Sequence, residues 1–143
     1  MDLNQNINEY LKLLSNESSK ALKHYKDRNI ISKFFYNLFK HPRDKRKELL
    51  YLDSIDEDTV YQLFCAYIIG SDILTIPDCL NYDIKKIGGI EPYFKENVNL
   101  LKIRLPIKHE AALHFKDKDC NFVIESLVAF QKRFLYAIRF QQK

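Results

Sequence analysis

Apolar residues recur every three or four positions along most of this chain, the spacing that places them on one face of an α-helix. The first stripe starts at Leu3 and resumes at Ala21 after a polar stretch, predicting one long helix, or two in line, ending near Asp27. A second row from Ile30 to Phe39 predicts a helix that stops before Pro42, with another running from Pro42 to about Leu52. Only residues 102–107 suggest a short strand.

The middle of the chain predicts one fully buried helix. Ser54 to Glu57 matches a capping box, in which the first residue of the motif caps the helix start. The residues from Val60 to Ile69 are apolar on nearly every side, which is typical of a helix surrounded by neighbours. Gly70 is the expected C-cap. Residues 71–89 are expected to be the least regular part of the chain, with one short helix around 79–86.

The C-terminal part predicts three further helices. Two are expected over 91–103 and 106–115, and Asp119 is a suitable N-cap for a last helix that continues to about Phe140. The chain has only 3 Gly and 4 Pro, too few for a turn-rich sandwich or barrel. We therefore predict an all-α fold, a single compact domain over residues 1–143, with seven or eight helices packed around a central C-terminal helix.

Cysteine usage and hydropathy favour a cytoplasmic protein. The three cysteines, Cys65, Cys79 and Cys120, are far apart and form no C-x-x-C pair, so neither a disulfide framework nor a zinc site is expected. The N-terminus has no apolar segment typical of a secretory signal. The longest apolar run, from Leu63 to Ile69, is much shorter than the roughly 20 residues that a transmembrane helix needs.

Charge is strongly segregated along the sequence. Residues 20–47 carry ten Lys or Arg against two Asp, whereas residues 48–83 carry eight acidic side chains and no Lys or Arg. The overall net charge of +4 therefore hides a basic block followed directly by an acidic block. Segregation on this scale can create surface potentials that steer and orient a partner.

The acidic block provides the candidate partner-binding residues. They are expected at exposed helix starts and loops, where rigid helices would support a negative surface. The predicted set is Asp53, Asp56, Glu57 and Asp58, followed by Asp72, Asp78 and Asp83. The alternative interpretation is that these side chains are helix-capping acids and turn-forming aspartates.

From this pattern we expect a non-enzymatic protein-binding module whose partner is a basic protein. Its most concrete form is an immunity protein or inhibitor that neutralises a toxin, for example a nuclease, by covering its active site with an acidic surface. No cofactor is expected. The basic and acidic blocks could also pair with each other in the fold. The extent of this pairing decides how much of the charge asymmetry is available to a partner.

The basic block supports two alternatives. Arg43, Lys45, Arg46 and Lys47 could contact the phosphates of a nucleic acid. Residues 28–47 also resemble an interfacial amphipathic helix, which would indicate peripheral membrane attachment. An apolar stripe at this spacing more often faces a domain core, which makes the membrane alternative the weaker of the two.

The segment from Arg104 to His109 is similar to the R-x4-H signature of HEPN-type ribonucleases, which are small all-helical proteins. The resemblance implies that Arg104 and His109 are catalytic, with the pair duplicated across a dimer that acts on RNA phosphodiesters. His109 and His114 lie five residues apart, about 140° around a helix, so they are not expected to share a zinc ion. No serine or cysteine nucleophile with a partnering histidine can be nominated, and no phosphate-binding glycine loop is present.

Overall fold

The computed structural model describes residues 2–26 and 46–135, and it defines side-chain surroundings for residues 2–15 and 47–135. These residues form seven α-helices and no strand: α1 Leu3–Lys26, α2 Arg46–Ser54, α3 Glu57–Thr75, α4 Pro77–Ile87, α5 Ile90–Arg104, α6 Lys108–Lys116 and α7 Cys120–Phe130. A π-helical turn, Gln131–Leu135, follows α7. The predicted helix over 30–39, the start at Pro42 and the continuation to Phe140 lie outside the described residues.

Helices α3 and α7 form the centre of the fold, which confirms the predicted all-α class and the central position of the C-terminal helix. α3 packs most extensively on α7 and also contacts α1, α4, α5 and α6. Its side chains from Val60 to Phe64, except Gln62, are buried, as are those from Cys65 to Tyr67. A helix that is apolar on all sides is stable only when neighbours cover it in this way. The prediction that neighbours surround the helix over 60–69 is therefore confirmed, with only Gln62 and Ile68 partly exposed.

Gly70 is a packing residue, and the predicted C-cap at this position is wrong. α3 continues through Gly70 to Thr75. A Cβ atom placed on Gly70 would lie 1.8 Å from the carbonyl oxygen of Ser126 in α7, far inside van der Waals contact. The absence of a side chain at Gly70 is what lets the two central helices approach so closely. Residue 126 is also small, and it is fully buried.

Aromatic rings fill the space between the central pair and the outer helices. Phe115 of α6 stacks on Tyr10 of α1 with ring centroids 5.0 Å apart, and on Phe64 of α3 at 5.2 Å. Phe130 and Phe134 stack at 5.3 Å at the other end of α7. Such pairs contribute about 0.5–1.5 kcal/mol each beyond the area that they bury. They tie helices that are distant in sequence into one core.

The predicted short helix around 79–86 is confirmed as α4, but residues 71–75 continue α3, so only Ile76, Gly88 and Gly89 of the segment expected to be irregular lie outside helices. Pro77 occupies the first turn of α4, where its missing N–H costs no hydrogen bond. Gly88 ends α4 with φ +104°, and the Gly88 and Gly89 amides both donate to the Ile84 carbonyl. A left-handed residue that closes a helix in this manner favours glycine. Gly88, rather than Gly70, is therefore the C-cap glycine of this part of the chain.

One of the two predicted helix N-caps is present in the structure, and the predicted strand is not. Asp119 accepts a hydrogen bond from the Phe122 amide at 3.1 Å, which confirms it as the N-cap of α7. The predicted capping box at Ser54 is wrong: Ser54 ends α2 and donates to the Tyr51 carbonyl, and Asp56 immediately precedes α3. The predicted strand over 102–107 is also wrong, because these residues form the end of α5 and the turn before α6.

Candidate functional site

Four of the predicted partner-binding residues meet where α2 ends and α3 begins. Asp53 lies in the last turn of α2, and Asp56, Glu57 and Asp58 surround the start of α3; all four are exposed. The Thr59 hydroxyl donates to the Asp56 carboxylate, and this hydrogen bond lowers the pKa of Asp56. Carboxylates at a helix N-terminus are also stabilised by the helix dipole. Asp56, Glu57 and Asp58 are therefore held at the start of a buried helix, with Asp53 beside them at the end of α2.

Cationic side chains of α5 and α6 contact this acidic group. Lys102 donates to the Asp58 carboxylate. Lys108 donates to the Asp53 backbone carbonyl at 2.9 Å, and His109 Nδ1 lies 3.3 Å from Asp53 Oδ1. Both Asp53 and Asp58 keep a large exposed fraction, 41% and 68% of their side chains. Exposed pairs of this kind contribute little to stability and leave the carboxylates accessible.

The turn between α5 and α6 brings apolar side chains to the same region. The Tyr61 hydroxyl of α3 donates to the Leu105 carbonyl and so attaches this turn to the first turns of α3. Ile103 and Ile107, which neighbour Lys102 and Lys108 in sequence, are 75% and 55% exposed. We call Asp53, Asp56, Glu57 and Asp58, together with these two isoleucines, the junction surface.

Negative charge remains in excess here after intramolecular pairing. Besides burial, the negative charges of Glu57 and of Glu110 in α6 both raise the pKa of Tyr61, so Glu110 belongs to the same region. Of the cations here, Lys102 contacts the Asp58 carboxylate, Lys108 contacts the Asp53 backbone, and Arg104 ends α5. Five acids against three cations leave a net charge of −2 when His109 is neutral.

The other three predicted site residues lie at the opposite end of α3. Asp72 is in its last turns, and Asp78 and Asp83 follow on α4. Asp72 is separated from Glu57 by 15 positions of one helix, or about 22 Å at 1.5 Å per residue. Burial, and secondarily the charge of Asp83, raise the pKa of Asp72. The seven predicted residues thus form two groups rather than one surface.

Glu48, the eighth acid of the acidic block, and the basic block are not part of the two acidic groups. Glu48 is fully buried in α2 and belongs to the packing rather than to the surface. Of the basic block, the structure describes only the backbone of 20–26 and the residues that start α2. Arg43 and Lys45 lie outside the described residues. The cations seen on the acidic residues come from α5 and α6.

Arg104 and His109 lie on different helices. Arg104 is the last residue of α5 and His109 the second residue of α6, and Leu105 to Ile107 form the turn between them. The continuous helix that the R-x4-H signature calls for is therefore interrupted at Pro106. His109 points to Asp53 of α2 instead.

Sequence reasoning missed the isoleucines and lysines of this region. Ile103 carried a usable signal: it lies about 200° around α5 from the buried Leu101, on the face opposite the core. No sequence signal indicated the contacts of Lys102 and Lys108, because their acidic partners are more than 40 residues away in the chain.

Across residues 2–26 and 46–135, no cluster of potential metal ligands is present. No described helix combines the length and apolar content that crossing a bilayer takes. No family model matches the chain, and no curated protein or solved structure is detectably similar to it.

Proposed function

We propose that this chain is a protein-binding module, and not an enzyme, that docks the junction surface onto a basic protein. Its most concrete form is an immunity protein or inhibitor that covers the active site of a toxin. The observation that carries the proposal is the exposure of Ile103 and Ile107 beside an acidic excess. Protein interfaces combine an apolar centre with a polar rim, and two exposed isoleucines beside a group of acids have this composition.

The rigidity of the junction surface supports a binding role. Three of its acids, Asp56, Glu57 and Asp58, stand at the N-terminus of the most deeply buried helix, and the Tyr61 hydrogen bond to Leu105 attaches the α5–α6 turn to that helix. A surface that is ordered before binding loses less entropy when it docks, so that more of the contact energy appears as affinity.

The charge of the junction surface favours a cationic partner. Carboxylates presented on a rigid support can stand in for the phosphates of a nucleic acid and occupy a basic active site, which makes a nuclease toxin the partner of best fit. Complementary charge raises association rates, and added salt screens this effect. We therefore expect association with the partner to slow steeply as ionic strength rises.

A charge-reversal pair tests the proposal. Glu57→Lys with Asp58→Lys changes the junction surface by four charge units, while Glu91→Lys with Glu125→Lys makes the same change elsewhere. Glu91 is a matched control because it also lies in the first turn of a helix. Association kinetics with the purified partner should slow about tenfold or more for the junction variant and much less for the control. Equal rates for the two variants would refute the junction surface as the docking site.

A further inference from the structure

A groove separates α4 from α5, which the Gly88–Gly89 turn joins at one end. Its volume is about 460 Å³, within the range of roughly 300–1,000 Å³ that is usual for sites that hold a small organic group. Ile87, Tyr93 and Leu100 provide apolar and aromatic walls. Leu100 is 42% exposed, so part of this wall is open to solvent. We call this feature the α4–α5 groove.

The charged lining of the groove selects for a cation. Asp83 contributes a carboxylate from α4 and Glu96 contributes one from α5, so each helix supplies an acid. Asp72 stands close enough to Asp83 for the two charges to interact. Lys86 also lines the groove, three residues after Asp83 on the same helix, where the two can pair. The groove lining holds two acids and one lysine, a net charge of −1, and Asp72 adds negative charge from nearby. This charge favours a positive ligand over a phosphate-like one.

The combination of walls and acids fits an arginine side chain. A three-carbon stem can lie on Leu100 and Ile87 while the planar guanidinium presents several N–H donors to carboxylates on both helices. An aromatic ring such as that of Tyr93 adds a favourable contact for a guanidinium. A lysine ammonium is a compact point charge and lacks the planar fork that pairs bidentately with a carboxylate.

Exposed apolar residues connect the groove to the junction surface. Leu100 lines the groove, Ile103 follows one helical turn later, and Ile107 lies beyond the end of α5. The two acidic groups are about 22 Å apart by helix rise. One partner face of standard size, about 800 Å², can cover both.

We propose that the α4–α5 groove is an anchor site that receives one arginine side chain of the basic partner. This inference rests on the proposed function for the identity of the partner, but the groove can be tested without it. The probe is Nα-acetyl-arginine amide, which presents arginine as a peptide does. Nα-acetyl-citrulline amide has nearly the same shape without the charge and serves as the control ligand.

Backbone amide NMR shifts should move saturably with the arginine probe at Tyr93, Glu96, Asn97 and Leu100. Asp83→Asn with Glu96→Gln should weaken this binding at least tenfold, whereas Asp78→Asn, also on α4, should leave it unchanged. Shifts that do not saturate, that spread over the surface, or that citrulline amide reproduces would overturn the proposal. So would free L-arginine binding tenfold more tightly than the capped probe, because that result would indicate a metabolite site.

The two proposals fail in different experiments. The Glu57→Lys, Asp58→Lys variant should bind the arginine probe as the unchanged protein does, because its substitutions lie at the other end of α3. If the groove does not bind the probe, the anchor-site proposal fails. The junction surface is still tested by the association kinetics with the partner. A junction variant that binds the partner normally overturns the proposed function, while the probe measurement still decides whether the groove binds a guanidinium group.

Discussion

Replacing Gly70 by alanine puts a methyl group 1.8 Å from the Ser126 carbonyl oxygen. Carbon and oxygen atoms that are not bonded lie roughly 3.3–3.5 Å apart at rest, so the two central helices would have to separate by about 1.5 Å. The atom that is struck belongs to the backbone of α7, and no rotation of a side chain can relieve the contact. The strain must therefore spread through the most extensive helix contact of the fold.

Two opposing effects set the magnitude. In a helix interior alanine is more favourable than glycine by about 1 kcal/mol, so an unconstrained site would become more stable. Overpacking in a close-packed core costs about 1–3 kcal/mol, and more when the backbone has to move. Because the clash is with backbone, the upper end of this range applies, and subtracting the alanine gain leaves a fall in the free energy of unfolding of about 2 kcal/mol. This is a large share of a typical total of about 5–15 kcal/mol.

Urea and thermal unfolding followed by circular dichroism measure this loss. Gly88→Ala is the matched control, since nothing lies within 4 Å of its Cβ and only its φ of +104° is unfavourable; it should cost about 1–2 kcal/mol. Ser126→Ala should not rescue Gly70→Ala, because the clash is with the backbone. If Gly70→Ala is as stable as the unchanged protein, or more stable, the close approach of α3 and α7 is refuted.

Three further predictions concern single side chains. Asp72→Asn should raise the melting temperature at pH 7, because burial raises the pKa of Asp72 and its charged form costs stability. The gain should shrink as pH falls through the raised pKa and vanish below the ordinary value of 3.8, where aspartate is protonated whether folded or not, and a gain independent of pH would contradict this cause. Alkylation at pH 8, followed by mass spectrometry, should modify the exposed Cys79 and spare Cys65 until the protein unfolds, because burial raises the pKa of Cys65 to about 12. Equal alkylation rates of the two cysteines in the native protein would contradict the buried position of Cys65. Asp119→Ala should lower the free energy of unfolding by about 1 kcal/mol through loss of the α7 cap, and an unchanged urea midpoint would count against the cap.

The sequence predicted those features that depend on local pattern. The all-round apolar run of α3 could only be stable when buried, and Asp119 at the head of an apolar stripe could be recognised as a cap. Gly70 shows where local pattern fails. Glycine is favoured both at a helix end and at a close contact between helices, and its contact, Ser126, is 56 positions away in the chain. Only the packing distinguishes the two roles.

The candidate site shows the same limit. Seven acids from one continuous block of sequence looked like one surface, yet a single long helix carries them to two ends of the fold. Their cationic neighbours come from α5 and α6, so neither the residual charge nor the exposed isoleucines beside it could be derived from the acidic block alone. Asp56, Glu57 and Asp58 do lie at an exposed helix start, as predicted, whereas Asp53 lies in the last turn of α2.

The measurement that tests the central claim most directly is affinity capture from native cells at low salt with three baits. They are the unchanged protein, the Glu57→Lys, Asp58→Lys junction variant and the Glu91→Lys, Glu125→Lys control, and the captured partner is then purified and rebound to each. The account predicts one basic protein in stoichiometric amount on the unchanged and control baits, released by moderate salt and lost from the junction variant. Equal retention by the junction variant, or recovery of RNA or DNA with no protein, would contradict it.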